Sequence, residues 1–356
     1  MQPAPAISPV QTLQDSLGAR WDNIAAARER SVHARSKLKE MLEGVDSEDC
    51  SVVVSGSLAR DEFTPGSDID WTLLIDGQAD PGVIDCLPRI EGAAGILAGK
   101  PPGRERTFGE MVFSHDLIHR IGGEDDTNRN TTQRILLLLE SAVIGRPDAY
   151  ERVFKDVLQR YISEDDGFRR RARYLVPRFL QNDFARYWRT MAVDFAYKRR
   201  TRFGSGAVIR NLKLRMSRKL IYVSGLLTCF SCELKLNTRS AQSPCQASIE
   251  PAECVHCLRE YLRMTPLEIL ASALIAIPHL RDAGKKAFDA YDKFLGLLAN
   301  PETRGRLEQL KPEEAQRDAV WGEARPLTHD FNDALLDVFF DQPSRLYELT
   351  RMYGVF

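Results

Sequence analysis

The chain has 356 residues, with 49 Lys or Arg and 50 Asp or Glu, so its formal net charge is −1. This length predicts two domains with a substantial core, and the near-neutral charge argues against nucleic-acid binding over the whole surface. It contains neither a run of about eighteen apolar residues nor a secretory signal in its first residues, MQPAPAISPVQ, so we expect a cytoplasmic protein without a membrane partner.

The first predicted elements are a long helix and a short strand. Helical periodicity extends from Val10 to Glu43, and Gly44 predicts its end. Its apolar residues recur at spacings of three and four: Leu13, Leu17, Trp21 and Ile24. The β-branched run Val52–Val54 then predicts a strand that ends at a Gly-Ser turn.

The stretch after this strand carries two carboxylates in a pattern that suits metal binding. A polar loop leads from Gly56-Ser57 to a second strand, which opens with Asp68-Ile69-Asp70. Side chains two residues apart in a strand share a face, so Asp68 and Asp70 point the same way. Two close carboxylates repel each other, and desolvation adds to the cost, which indicates a divalent cation. Hard oxygen ligands suit Mg²⁺, which combines one or two carboxylates with substrate phosphates; Mn²⁺ is the other candidate.

A Gly-Ser turn, a ten-residue gap and Asp68-x-Asp70 together resemble the signature of the DNA polymerase β-like nucleotidyltransferase superfamily. The resemblance implies that Gly56 and Ser57 hold a nucleoside triphosphate and that the paired aspartates bind the metal. The residues suit these roles, because glycine lets backbone N–H groups approach phosphate oxygens. Arg60 and Ser67 in the same loop are further nucleotide-binding candidates. The alternative is a surface turn followed by solvated aspartates; the apolar runs on both sides of the motif favour the functional interpretation.

The third carboxylate of such a site is expected on the next strand of the sheet. Residues 82–98 predict a helix, and Met111-Val112-Phe113 predicts a strand. Asp116 lies just beyond this apolar run and is the candidate for the third catalytic and metal-binding carboxylate; Glu110 and Asp125 are rivals.

The segment TTQRILLLLESAVIG predicts a Leu-rich helix that ends at Gly145. It loosely resembles the corresponding segment of PII-uridylyltransferase-related bacterial nucleotidyltransferases. We place the domain boundary here, with a nucleotidyltransferase domain and its N-terminal helix at 1–130 and a helical domain at 131–356. The predicted fold class is therefore α+β, a small mixed sheet followed by an all-α domain.

Positive charge is concentrated in the second domain. Residues 169–219 contain sixteen Lys or Arg but only two acids, Asp183 and Asp194, and aromatic residues are interleaved. This is the pattern of a polyphosphate or nucleic-acid surface. Lys213 and Lys219 are candidates to contact the triphosphate. The same span could instead follow an oligonucleotide, or form a solvated basic face over a packed aromatic stripe.

Four cysteines form two CxxC pairs, which are separated by 21 residues. Paired motifs at about this distance predict a structural Zn²⁺ site, a cysteine knuckle at 229–257. Its ligands would be Cys229, Cys232, Cys254 and Cys257. The alternative is buried free thiols, since Cys229 ends an apolar helical run.

The sequence therefore predicts a nucleotidyltransferase of the EC 2.7.7 type. A hydroxyl on a protein, nucleotide or oligonucleotide would attack the α-phosphate of an NTP or dNTP, and pyrophosphate would leave. One alternative is an oligonucleotide or second-messenger synthase of a bacterial antiviral defence system. Another is an inactive nucleotide-sensing or partner-binding subunit, against which the intact Gly56, Ser57, Asp68 and Asp70 argue. A second copy of the chain or an effector protein is a further candidate partner.

Overall fold

The computed structural model describes residues 7–354, except for 79, 99–107, 166–174, 202–203, 205 and 241–250. It begins with two helices, α1 (Pro9–Leu17) and α2 (Asp22–Met41), where the sequence predicts one. Gly18 ends α1 because it adopts the left-handed conformation, at φ +56°. The apolar periodicity continues across this break, which explains why the pattern alone does not reveal it.

Four strands form one mixed sheet, which confirms the predicted α+β class. They are β1 (Cys50–Ser55), β2 (Asp70–Ile75), β3 (Glu110–Phe113) and β4 (Ser141–Ile144). Their order is β3-β2-β1-β4. β1 pairs antiparallel with both β2 and β4, whereas β2 and β3 are parallel.

Strand β4 differs from the sequence prediction, which extends a helix to Gly145. The helix α5 (Asn128–Leu139) ends before Glu140, and the chain then pairs with β1. Ile144 is buried against the sheet, which suits a β-branched residue. The last strand of the sheet, β4, thus lies after residue 130, within the range that the sequence assigns to the helical domain.

Apart from the four strands, the regular elements of the described chain are helices and helical turns, and those beyond Gly145 are all of this kind. A 3₁₀ turn, Pro81–Cys86, leads into α3, and a π-helical turn, Leu214–Arg218, joins α8 to α9. The remaining helices are α3 (Leu87–Ala98), α4 (Ser114–Ile118), α6 (Asp148–Glu164), α7 (Arg178–Thr201), α8 (Ala207–Lys213), α9 (Lys219–Ser240), α10 (Pro251–Leu262), α11 (Pro266–Ala276), α12 (Arg281–Ala299), α13 (Pro301–Gln309), α14 (Ala319–Phe340) and α15 (Arg345–Leu349). None of the helices in the described part is both long and apolar enough to cross a membrane.

Both faces of the sheet are covered, and alternate residues of each strand enter different cores. Val53 and Leu74 join a large core that continues into the helical domain. Val52 and Leu73 join a smaller core with α2 and α3. The sheet is therefore held between helices, and the start of β2, at Asp70, faces the helical domain.

Helix α12 fixes the helical domain to the N-terminal helices. Trp21 stacks on Phe288 with ring centroids 4.6 Å apart, and its indole N–H donates to Asp289 at 2.8 Å. Asp292 accepts hydrogen bonds from the backbone N–H groups of Asn23 and Ile24, at 2.9 and 3.0 Å. A carboxylate at a helix N-terminus is stabilising, so this contact orients α2 and the two domains together.

Candidate active site

A cleft of about 410 Å³ lies between the start of β2 and the helical domain. Its volume is within the range of small-molecule sites, about 300–1,000 Å³. Most of the predicted nucleotide- and metal-binding residues line it together: Gly56, Ser57, Arg60, Ser67, Asp68, Asp70 and Lys213. The opposite wall comes from α7, α8, the π-turn and α12.

Gly56 is required by its backbone conformation and by its neighbour. It follows β1 with φ +71°, a conformation that side chains disfavour. A Cβ added here would approach Oδ2 of Asp70 to 3.1 Å. Because Ser55 pairs with Asp70 across the antiparallel ladder, the Gly-Ser turn lies directly beside the carboxylate. Gly56 thus lines the cleft at the point where the resemblance implies a phosphate.

The loop before Asp68 is held from the helical domain by Arg304. This side chain, in a residue only 6% exposed, donates to Thr64 Oγ1 and Pro65 O at 3.1 Å and to Gly66 O at 2.5 Å. The hydroxyls of Thr64 and Ser67 lie 3.0 Å apart. Ser67 therefore lines the cleft but also closes the turn, and Arg304 positions the loop that leads to the aspartates.

The two aspartates create an electrostatic conflict. Burial raises the pKa of Asp70 to about 7, with further contributions from the negative charges of Asp68 and Glu140. Arg60 and Lys213 oppose this rise. A divalent cation would relieve the repulsion, because it offers positive charge to both carboxylates.

Arg60 forms the centre of a buried polar network. It donates to Glu62 Oε2 at 2.9 Å and pairs with Glu140. Tyr187 donates to Glu140 at 2.6 Å, and Tyr291 donates to Glu62 at 2.7 Å. Burial alone would lower the pKa of Arg60. The two carboxylates together raise it by more than burial lowers it, so the net pKa is raised. The guanidinium is thus held in place beneath the cleft.

Glu140 and Tyr187 are cleft residues that the sequence reasoning did not identify. Glu140 follows the last residue of α5 and precedes β4, where the sequence predicts continuous helix. An acid that precedes the short run Ser141-Ala142-Val143-Ile144, which ends in two β-branched residues, was the available signal. Tyr187 lies in the basic, aromatic span, where its hydroxyl gave no sign of a buried partner.

The wall opposite the aspartates is cationic. Lys213 ends α8, and the π-turn follows it directly. Arg210, Lys213, Ser217 and Arg218 all line the cleft. A π-turn widens the helix and is frequent at functional sites, and here it lies where the helix passes the two aspartates.

Lys219, the other predicted triphosphate contact, does not line the cleft. Its ammonium group donates to Asn332 Oδ1 of α14 at 2.6 Å. Burial and, secondarily, Arg215 lower the pKa of Lys219. The side chain therefore joins helices on another face, away from Lys213.

The structure also locates the candidates for a third carboxylate. Asp116 lies outside the cleft lining and forms an exposed ion pair with Arg120 at 3.1 Å. Glu110 pairs with Arg129. Directly before β3, the backbone N–H of Gly109 donates to Trp71 O at 2.8 Å, and Phe108 lines the cleft. An aromatic side chain from the residue two before β3 therefore lines the cleft, whereas Asp116, after β3, does not.

The donor set suits a metal that arrives with phosphate. Among the described residues, no group of three or more His, Cys, Asp or Glu could hold a metal ion. Asp68 and Asp70 alone leave most positions of an octahedral ion to other ligands. Mg²⁺ is commonly bound in this way, by one or two carboxylates with phosphate oxygens and water. The residues therefore fit a magnesium nucleotide.

The four cysteines of the predicted zinc site lie on two packed helices. Cys229 and Cys232 are in α9, and Cys254 and Cys257 are in α10. Burial raises the pKa of the Cys229 thiol. Hydrogen bonds with Cys254 and Cys257 raise that of Cys232, and burial adds to the rise. These surroundings favour neutral thiols. The zinc site stays a prediction, and residues 241–250, between the pairs, lie outside the described residues, as do 169–174 of the basic span.

Residues 35–92 match the family model described as a nucleotidyltransferase domain. The match runs from α2 to α3 and contains the Gly-Ser turn and both aspartates. Neither the comparison with curated proteins nor that with solved structures gave a match. The domain is consistent with the DNA polymerase β-like superfamily and supports a transferase with a nucleotidyl-transfer activity. The resemblance to PII-uridylyltransferase-related proteins stays a prediction.

Proposed function

We propose that this chain, with its nucleotidyltransferase domain at residues 35–92, is a Mg²⁺-dependent enzyme that transfers a nucleoside monophosphate from an NTP or dNTP to a hydroxyl. The proposal rests on one observation. Asp68 and Asp70 face the cationic wall of Arg210, Lys213 and Arg218 across a single cleft. Carboxylates on one wall suit a metal, and cations on the other suit the phosphates that accompany it.

The reaction is an in-line displacement at phosphorus. The acceptor oxygen forms a bond to the α-phosphorus, and the bond from this atom to the oxygen that bridges to the β-phosphate breaks. Pyrophosphate leaves with the electron pair, and the proton of the acceptor hydroxyl passes to water. Mg²⁺ held by Asp68 and Asp70 would supply neutralising charge to the phosphate oxygens.

The remaining residues bind and orient the nucleotide. The backbone of Gly56 and the hydroxyl of Ser57 are donors for the β- and γ-phosphates. Lys213 and Arg218 stabilise the charge that develops on the leaving pyrophosphate. Arg60 favours the ionised form of Asp70 against the effect of burial, and the buried network holds Arg60 in position.

The proposal is tested with triphosphates labelled at either the α- or the γ-phosphate, each incubated with the protein and Mg²⁺. We expect the α-label on an acceptor and the γ-label in pyrophosphate, with gel and thin-layer separation identifying the acceptor. Asp68→Asn should reduce the rate by at least about 100-fold. Asp330→Asn, at an exposed position of α14, is the matched control and should keep it.

Two results would contradict the proposal. Transfer of the γ-label to the acceptor would identify a phosphotransferase. Nucleotide binding without turnover, unchanged by Asp68→Asn, would favour an inactive nucleotide sensor.

A further inference from the structure

Helix α7 has two faces with different environments. One face lines the cleft, with Tyr187, Thr190, Met191, Asp194 and Lys198. The next face is exposed over its C-terminal half. Its residues recur at spacings of four, four and three: Arg189, Val193, Tyr197 and Arg200. Exposed Tyr197 directly precedes Lys198, which lines the cleft, so the exposed face lies within one residue of the cleft lining near the end of α7.

This exposed face combines positive charge with apolar and aromatic surface. Val193 is 53% exposed and Tyr197 56% exposed. The guanidinium of Arg200 lies over the Tyr197 ring, 6.0 Å from its centroid. A Tyr ring with an Arg beside it offers a nucleobase both a stacking surface and a cation–π partner.

The acids of α7 do not neutralise this face, because both are used on other sides of the helix. α7 contains six Lys or Arg but only Asp183 and Asp194 as acids. Asp183 accepts from Arg134 and Tyr161, and Asp194 pairs with Lys198 at 2.6 Å. Arg189 has no hydrogen-bond or ion-pair partner within the described part of the chain.

We propose that the acceptor is a single-stranded nucleic acid, which lies along this exposed face and presents its terminal hydroxyl to the cleft. The inference rests on the proposed function and names the substrate class for the same site. Arg189 and Arg200 contact the phosphates, and Tyr197 stacks on a base. The exposed face of α7 favours nucleic acid over an acidic protein. Binding by charge alone does not require an exposed aromatic ring between the cations.

Binding is measured by fluorescence anisotropy with short fluorescein-labelled single strands of RNA and of DNA, without NTP or metal. Comparing the two strands identifies the sugar that the surface prefers. We expect the double variant Arg189→Glu with Arg200→Glu to weaken binding at least about tenfold. The double variant Lys37→Glu with Lys39→Glu makes the same change in charge on exposed positions of α2 and should weaken it less than about twofold.

Tyr197 separates stacking from charge. Tyr197→Ala should weaken binding about five- to tenfold, while Tyr197→Phe keeps the ring and should restore most of it. Three results would overturn the inference: no binding of either strand, equal weakening by the two double variants, or a polyglutamate peptide that displaces the strand at equal charge concentration. Pyrophosphate release from NTP is measured separately. Release without strand binding would refute only the acceptor, and strand binding without release would refute only the transfer reaction.

Discussion

The conflict at Asp70 has a consequence for stability that can be measured without knowing the substrate. In the metal-free protein the pKa of Asp70 is about 7 when folded, against 3.8 for an ordinary aspartate. At pH values between these two pKa values, Asp70 therefore keeps its proton in the folded state and has lost it in the unfolded state. The contribution of Asp70 to stability is complete below about pH 4 and is lost as the pH rises through about 7. Asp70→Asn abolishes this loss.

The size of the effect follows from the two pKa values. A change from 3.8 to about 7 corresponds to about 4 kcal/mol, at about 1.36 kcal/mol for each pH unit. Because Asp70 is half-buried and water screens part of its charge, we expect about 1–2 kcal/mol. The stability of Asp70→Asn relative to the wild type should thus rise by this amount between about pH 5 and pH 8.

The assay is chemical denaturation with a chelator at both pH values. Asp330→Asn removes an exposed carboxylate and should differ from the wild type by the same amount at each pH. Adding Mg²⁺ at the higher pH should stabilise the wild type more than Asp70→Asn. A stability difference between Asp70→Asn and the wild type that does not change with pH would refute the electrostatic account of the aspartate pair.

Three further changes test the loop and the core. Gly56→Ala should lower the free energy of unfolding by about 1–2 kcal/mol and impair nucleotide binding, because the backbone at this position is left-handed. Gly305→Ala, in an open helical position, should instead raise the free energy of unfolding by about 0.5–1 kcal/mol. Arg304→Met removes the donor to the buried Thr64 hydroxyl and to two partly buried carbonyl oxygens of the loop, and should cost about 2–3 kcal/mol, with a fall in transfer rate. Cys229→Ser should cost about 1–3 kcal/mol, since the thiol is fully buried, whereas partly exposed Cys257→Ser should cost less. Denaturant titration measures the changes in the free energy of unfolding. Equal stability of the two glycine variants, no loss of stability in Arg304→Met, or equal losses for the two cysteine variants would contradict the corresponding assignment.

The sequence identified the part of the site that is local. Gly56, Ser57 and Asp68 lie in the loop that joins the paired strands β1 and β2, and Asp70 begins β2. Their order along the chain therefore already brings them together. The sequence predicted that the strand begins at Asp68, whereas it begins at Asp70; both aspartates nevertheless line the cleft. The mixed sheet followed by helices was predictable because short strands and long helices differ in their period.

The sequence was less informative where the site depends on distant pairing. The continuous apolar run of α5 and β4 has no periodicity that separates helix from strand, so β4 and Glu140 beside it were missed. The parallel pairing of β3 with β2, which precedes the entry of Phe108 into the cleft lining, cannot be predicted from the residues of either strand alone. Arg304 contacts the loop from about 240 residues away in the sequence.

Helical geometry could have shown from the sequence that Lys213 and Lys219 do not both contact the triphosphate. Lys213 and Lys219 are six residues apart, about 240° around an α-helix at 3.6 residues per turn, so both could not face one cleft. The π-turn between them alters the angle further. Lys213 lines the cleft, and Lys219 contacts α14.

The central claim is that one cleft holds the metal, the triphosphate and the two aspartates. It is tested most directly by a crystal structure with Mg²⁺ and a triphosphate whose bond between the α- and β-phosphates cannot be cleaved. We predict Mg²⁺ between Asp68, Asp70 and the phosphates, with the β- and γ-phosphates at Gly56-Ser57 and Lys213 on the opposite side. A triphosphate bound outside this cleft, or bound within it without metal at the aspartates, would contradict the account.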